Sequence, residues 1–271
     1  MPTIAEILSV VERLWPVSGA EQWDAPGLVT GDPAASVTRV LLTVDAVAET
    51  VDEAVSGGFD LMLAHHPLLL RGVTSLAEDR YKGALVTHLI RGGCALLTAH
   101  TNADVVPTGV SDVFAERLGL VDTRPLVPGV DARSGLGRVG RLPEPTTLGA
   151  LARELAVLLP ATASGIRAAG EYTRAVSTVA LCGGAGDAFL SEPAVREADV
   201  YITSDLRHHP ASEALEQARL SGGPALIDVS HWASEWLWLD TAAAQLREAL
   251  PALTVEVSDL RTDPWDFVVV Q

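Results

Sequence analysis

Leu61-Met62-Leu63-Ala64-His65-His66-Pro67 places two histidines at the end of a short apolar run, preceded by Gly57-Gly58 and stopped by a proline. Four apolar residues bounded in this way read as a buried strand, so His65 and His66 fall at its C-terminal end. In open α/β sheets that end is where ligands bind. An imidazole pair is costly in a hydrocarbon core, and neutral imidazole is the commonest nitrogen ligand for Zn, Fe, Mn or Ni. The pair therefore directs attention to whatever else in the chain could complete a metal site.

Working outward, the chain alternates helix and strand. Thr3 and Glu6 stand at capping-box spacing ahead of Ile4, Ile7, Leu8, Val11 and Leu14, a helical repeat that ends before Pro16. The loop from Trp23-Asp24 to Asp32-Pro33 reads as a surface connection with a Trp anchor. Val37–Val44 is β-rich and ends at Asp45, and a helix from Ala46 to Val55 follows. Beyond the histidine strand come a helix from about Tyr81 to Arg91, closed by Gly92-Gly93, and a strand Cys94–Ala99 that runs into His100-Thr101-Asn102-Ala103-Asp104. A helix from Val110 to about Leu118 completes the first half. Leu120–Gly137, with Pro125, Pro128 and several glycines, reads as a linker.

The second half repeats the pattern. A strand near Arg138–Leu142 and a helix from about Thr147 to Leu159 lead to extended pieces near Gly165–Ala169 and a strong strand, Val176–Cys182. The glycine cluster Gly183-Gly184-Ala185-Gly186 after it lacks the Lys-Ser/Thr of a P-loop and reads as a strand-to-helix turn. Asp199–Thr203 is a strand ending in Ser204-Asp205-Leu206-Arg207-His208-His209-Pro210. Pro224–Val229 is another, ending in Ser230-His231-Trp232-Ala233-Ser234-Glu235. A last helix to about Leu250 and a strand at Thr254–Val257 follow. The spacing of Trp232, Trp236 and Trp238 predicts helix packing.

Laid side by side, the halves echo one another: strand, His-His-Pro, helix, Gly-Gly, strand, then His-x-x-x-carboxylate, with His100/Asp104 in the first and His231/Glu235 in the second. Six of the seven histidines lie in these four segments. The natural inference is an α/β protein of two similar α/β units, 1–125 and 126–271, in a pseudo-twofold arrangement around a metal-binding cleft. Imidazoles and carboxylates without cysteine suit Zn, Fe(II) or Mn rather than a structural thiolate zinc.

Composition narrows the classes. With 271 residues, 48% of them apolar, the chain can build a large core without staples. Cys94 and Cys182 sit in apolar runs and read as small core residues, which favours a reducing cytoplasm. No stretch has the pattern of a signal peptide or of a bilayer span. A formal charge of −16 opposes nucleic acid and anionic membrane as partners.

Ala64-His65-His66-Pro67, Thr98–Asp104, Thr203–His209 and Ser230–Glu235 resemble, in order and spacing, the motifs of the dinuclear-metal hexamer family of GTP cyclohydrolase 1 type 2 homologues (Nif-like). The Trp23-Asp24 and Gly27-Leu28 loop is also similar to that family's N-terminal signature, with Ala25-Pro26 replacing its usual Asn-Val-like pair. The resemblance implies two divalent ions (Zn, Fe or Mn) per subunit, held by His65, His66, Asp104, His231 and Glu235. It implies His100, His208 and His209 as outer or proton-transfer groups, a toroidal homohexamer, and a chain without the large central insertion of some relatives. Five ligands serve two ions only if carboxylates bridge and water fills the remaining positions, an open arrangement that distinguishes catalytic from structural sites. The function so implied is metal-dependent hydrolysis of a nucleotide or phosphoester, with a small molecule as substrate. The alternatives are a non-catalytic metal-binding hexameric scaffold, regulator or metal-trafficking protein, and a mononuclear redox centre built on one carboxylate.

Overall fold

The first helix forms where its cap is encoded: Glu6 N–H donates to Thr3 Oγ1 at 3.3 Å, and Thr3 N–H donates to Glu6 Oε2 at 2.7 Å. The computed structural model describes residues 1–270. In chain order the elements are α1 (Ile4–Leu14), β1 (Gly27–Thr30), β2 (Arg39–Thr43), α2 (Ala48–Ser56), β3 (Leu61–Ala64), α3 (Tyr81–Gly92), β4 (Ala95–Thr98), α4 (Thr101–Asp104) and α5 (Val110–Arg117). There follow β5 (Val121–Pro128), β6 (Gly135–Thr147), α6 (Leu148–Leu158), β7 (Arg167–Ala169), β8 (Ala175–Ala185), α7 (Pro193–Arg196), β9 (Val200–Ser204), α8 (His208–Ser221), β10 (Ala225–Val229), α9 (His231–Ala249) and β11 (Thr254–Val257). No helix among the described residues is long and apolar enough to cross a membrane.

The chain divides into two compact units. Met1–Val106 with Leu239–Thr262 form one, and Pro107–Trp238 with the residues from Asp263 onward form the other. A division at 125/126 is linear, whereas these units are not: the chain leaves the first at Val106 and returns to it within α9. In the first unit the sheet order is β1-β4-β3-β2-β11, parallel except for β1. Leu41, Met62 and Leu96 of this sheet pack with Val51 and Ala54 of α2 and Leu85 and Leu89 of α3. The alternate side chains Val40, Leu42, Leu61, Leu63 and Leu97 point to the opposite face and are buried as well. Burial on both faces is what an uninterrupted apolar strand such as Leu61–Ala64 requires.

In the second unit the order is β5-β6-β8-β9-β10-β7, with β8, β9 and β10 parallel. The segment read as a linker is in fact the β5–β6 hairpin. Its prolines mislead a sequence reading, but β5 is an edge strand, where a missing N–H costs no ladder bond. Leu126 and Val139 of the hairpin are buried, and Arg138, 1% exposed, donates from Nε to Asp112 Oδ1 of α5 at 2.6 Å and from Nη1 to the Gly135 and Gly137 carbonyls. The turn read at Gly183-Gly184 is likewise strand, since β8 runs on to Ala185.

The echo between the halves extends to the hydrogen bonds. In each unit a helix and an antiparallel edge strand precede three parallel strands, β1 pairing with β4 as β7 pairs with β10. Asp60, just before β3, accepts at Oδ2 from Thr38 N, Thr38 Oγ1 and Arg39 N at 2.7, 2.6 and 3.0 Å. Asp199, just before β9, accepts at Oδ2 from Ser177 N and Thr178 N, both at 2.8 Å. Each aspartate also bridges its neighbours through the main chain: Asp60 N to Arg39 O and Ala95 N to Asp60 O, Asp199 N to Thr178 O and Ala225 N to Asp199 O. The same clamp therefore fixes the register at the N-terminal edge of both parallel sheets.

Burial alone would raise the Asp60 carboxyl, but the hydrogen bonds from Thr38 and Arg39 and the Arg39 charge outweigh it and hold the group below its ordinary value. A lowered carboxyl stabilises the fold above the unfolded value of about 4 and loses that contribution as the pH falls through the folded one. Asp60→Ala and Asp199→Ala are each expected to cost about 1–3 kcal/mol at pH 7. For Asp60→Ala, chemical denaturation at a series of pH values should show the difference from the unaltered protein shrinking towards pH 3; a difference independent of pH would contradict the assignment.

Candidate metal centre

Within the first unit, the ends of β2, β3 and β4 bring three imidazoles together. His65 N–H and His66 N–H carry the β3 ladder one step past its end, donating to Thr43 O and Val44 O at 3.0 and 2.8 Å. Ring centroids are 5.2 Å apart for His65 and His66, 5.2 Å for His65 and His100, and 5.5 Å for His66 and His100. One nitrogen from each of these rings lies within 4.8 Å of the others.

Each ring is held from behind through Nδ1. The acceptors are Ala99 O for His65 at 2.9 Å, Asp45 Oδ1 for His66 at 2.7 Å and Asp24 Oδ1 for His100 at 2.9 Å. A carbonyl or a carboxylate can only accept, so Nδ1 carries the hydrogen and Nε2 of the neutral ring presents its lone pair. Asp104 comes from the single turn α4, with its Oδ1 3.6 Å from His65 Nε2. That turn is set by Asn102, which accepts from His100 N–H at Oδ1 (2.9 Å) and donates from Nδ2 to Trp15 O (2.8 Å).

Asp24 lies in the loop read as a surface connection, but its side chain is fully buried. It also accepts from Thr101 N–H and the Thr101 hydroxyl, so its position fixes both ends of the His100–Thr101 step. Burial favours its neutral form, and the bonds from Thr101 and His100 overcome this and keep the carboxyl lowered. Burial, followed by the neighbouring His65, pushes His100 down to about 4 against the pull of Asp24. His100 is thus a neutral imidazole at ordinary pH.

In the second unit, His231 is the first residue of α9 and Glu235 lies one turn on, with Nε2 to Oε1 2.9 Å. His231 Nδ1 donates to Asp205 Oδ2 at 2.7 Å. Asp205 adopts φ 56°, a left-handed conformation rare outside glycine, and this backbone strain coincides with the histidine contact. Burial opposes the charge on His231, but Glu235 and Asp205 prevail and raise it to about 11. Gly184 meets this pair edge-on: a β-carbon there would fall on Glu235 Oε1 and lie 3.3 Å from His231 Nε2. Gly184 N–H in turn donates to Ser234 Oγ at 2.9 Å, and Ser234 Oγ donates to His231 O at 2.8 Å.

His208 and His209 are placed differently. They pack edge to face, 5.1 Å between centroids, at the exposed start of α8. The strand registers explain why. Leu61 and Val200 occupy equivalent positions, opposite Val40 and Val179, so the counterpart of His66 is Asp205, and the second His-His pair begins three residues further on. Ala95 and Ala225 are likewise equivalent, which makes Ser230, not His231, the counterpart of His100. The backbone repeats; the histidines sit on it out of register. Asp24, Asp45 and Asp205, the three carboxylates that orient histidines, are absent from the ligand set drawn from sequence. Asp205 directly follows β9 and Asp45 lies two residues past β2, and that nearness to strand ends was the available signal.

The donor set suits a divalent ion of the Zn, Fe or Mn kind: imidazole Nε2 atoms and carboxylate oxygens, with ring orientation fixed by outer acceptors and with side-chain space left open at Gly184.

A family model described as Duf34/NIF3 (NGG1p interacting factor 3) matches residues 2–264. A Streptomyces coelicolor protein called GTP cyclohydrolase 1 type 2 homolog is 48% identical over 98% of this chain and 94% of its own. A Mycobacterium tuberculosis protein of the same name is 34% identical over 97% of both chains, in an alignment of 372 positions, so it carries insertions inside the matched region. Among solved structures, a Bacillus cereus protein related to NIF3 superposes with TM-score 0.90 at 25% identity, covering 98% of this chain and 99% of that one. A Staphylococcus aureus hypothetical protein superposes with TM-score 0.86 at 28% identity over the same shares.

Gly184→Ala tests the space beside Glu235. It is expected to destabilise the protein by about 1 kcal/mol or more, since φ +70° already disfavours alanine, and to lower metal content by displacing the Glu235 carboxylate. Metal analysis of the purified variant with unchanged stoichiometry would contradict it.

Proposed function

Since the chain belongs to the Duf34/NIF3 family, we propose that His65, His66, Asp104, His231 and Glu235 hold two divalent metal ions and that the protein is a metal-dependent hydrolase of a nucleotide or phosphoester. The observation that carries this reading is the posture of four histidines. His65, His66, His100 and His231 each give Nδ1 to an oxygen acceptor. For His65, His66 and His231 that is how proteins hold metal-bound imidazoles, with the outer partner fixing tautomer and ring plane; His100 shares the posture as a proton-transfer group rather than a ligand.

When bound, a pair of divalent ions lowers the pKa of water towards neutrality and polarises a substrate oxygen. The chain's own part is positioning and proton handling. His100, neutral down to about pH 4, can accept a proton at Nε2, and Asp24 behind it stabilises the imidazolium so formed. His208 and His209, exposed at the start of α8, are the other acid/base candidates. The assembly proposed is a toroidal homohexamer of this chain, and the two buried free cysteines, Cys94 and Cys182, support a cytoplasmic setting.

A second reading, a metal-binding scaffold or trafficking protein without turnover, is favoured by the exposed Trp265, Phe267, Val268, Val269 and Val270, which offer an apolar surface to a partner. Metal analysis, with assays of purine-ring opening of GTP and of phosphoester hydrolysis, separates the two. Hydrolysis predicts two ions per chain and turnover that disappears in His66→Ala and Glu235→Ala together with bound metal. Two ions without turnover on either substrate class select the scaffold. A metal-free protein that cannot be loaded contradicts both.

A further inference from the structure

Strand β11 pairs in parallel with β2, so the chain beyond it travels towards the edge of the sheet where Asp45 follows the end of β2. Ser258 keeps it on that course: its N–H donates to Leu42 O at 2.9 Å and its hydroxyl to Glu53 Oε2 at 2.5 Å. Thr262 then arrives at Asp45, its Oγ1 donating to Oδ2 at 2.5 Å while Oδ1 of the same carboxylate holds His66 Nδ1 at 2.7 Å. The next residue, Asp263, is 8% exposed and accepts at Oδ2 from the hydroxyl of Ser230 at 2.5 Å. Ser230 in turn caps α9, accepting from Ala233 N–H at 3.2 Å, and α9 opens with His231 and carries Glu235.

From these contacts we propose that the dipeptide Thr262–Asp263 is a positioning element of the metal centre. Thr262 sets Asp45 and, through it, the ring of His66; Asp263 sets the start of the helix that presents His231 and Glu235. Two adjacent residues thereby steady ligands drawn from strand ends more than 160 positions apart in the sequence. The chemistry is that of hydrogen-bond orientation. A carboxylate that holds a metal-bound imidazole needs its own free oxygen fixed if the imidazole plane is to be fixed, and a hydroxyl donor does this without adding charge. Neither residue is among the proposed ligands, so their effect is on affinity and selectivity rather than on the number of ligands.

The inference rests on the metal reading above, and the test separates the two. Cobalt(II) is titrated into metal-free protein and binding is followed by visible absorption, with the thermal midpoint of the metal-free form measured in parallel. Thr262→Val keeps the shape of threonine and removes the donor. It is expected to weaken the tighter cobalt site about tenfold, the lower end of the 10–100-fold loss seen when ligand-orienting partners are removed. Its metal-free thermal midpoint should match that of the unaltered protein, and Thr262→Ser should restore binding. Asp263→Ala is expected to weaken cobalt binding as well. Equal cobalt affinity in the unaltered protein and Thr262→Val, or a loss in Thr262→Val that serine does not rescue, overturns the positioning role while leaving the metal centre standing. Failure of the unaltered protein to bind cobalt overturns the metal reading itself.

Discussion

The candidate metal centre depends on where hydrogens sit on four imidazole rings. A histidine can present either ring nitrogen, and a free ring would sample both tautomers and many orientations. Here a main-chain carbonyl or a carboxylate takes Nδ1–H from His65, His66, His100 and His231, which leaves Nε2 as the second nitrogen of each ring; on His231 it faces Glu235 Oε1 at 2.9 Å. The constraint reaches back into the fold, because Asp45 stands at the end of β2, Asp205 at the end of β9 and Ala99 at the end of β4. The C-terminal edges of the parallel strands thus supply both the rings and the oxygens that orient them.

The two units show how a repeated frame can carry unequal chemistry. Asp60 and Asp199 fix the opposite edge of each sheet by the same set of main-chain contacts, so the strands and their registers correspond. On that frame the first unit places a histidine at position 66, and the second places an aspartate at the equivalent position 205. One is a candidate ligand and the other a support for one. Three imidazoles with one carboxylate gather in the first unit; one imidazole and one carboxylate face each other in the second. The asymmetry is also electrostatic, since His100 is pushed down to about 4 and His231 up to about 11.

Much of this was legible in the residues. The apolar run before His65, the Thr3–Glu6 cap and the alternation of strand and helix are local signals, and local signals survive in a single sequence. The His-x-x-x-Glu pair of α9 was legible for the same reason, since one helical turn fixes it. The β5–β6 hairpin was not, because Pro125, Pro128 and its glycines are punctuation in any local reading and only the edge position of β5 makes them acceptable in a strand. Asp24 was hidden because its partners, His100 and Thr101, lie over 70 residues away. The echo of His-His-Pro in both halves was a real repeat of sequence laid over a real repeat of backbone, and nothing in the letters reveals that the second pair sits four residues beyond the position equivalent to the first. Gly184 read as a turn because its role, leaving room beside Glu235, is visible only once β8 is set against α9.

These supported imidazoles and their carboxylates are proposed to hold a pair of ions. Anomalous diffraction from crystals of the metal-loaded protein, collected on either side of the Zn, Fe and Mn absorption edges, tests it directly. Two peaks per chain are expected, about 3.5–4 Å apart, flanked by His65, His66, Asp104, His231 and Glu235. A single peak, or peaks remote from those side chains, would contradict it.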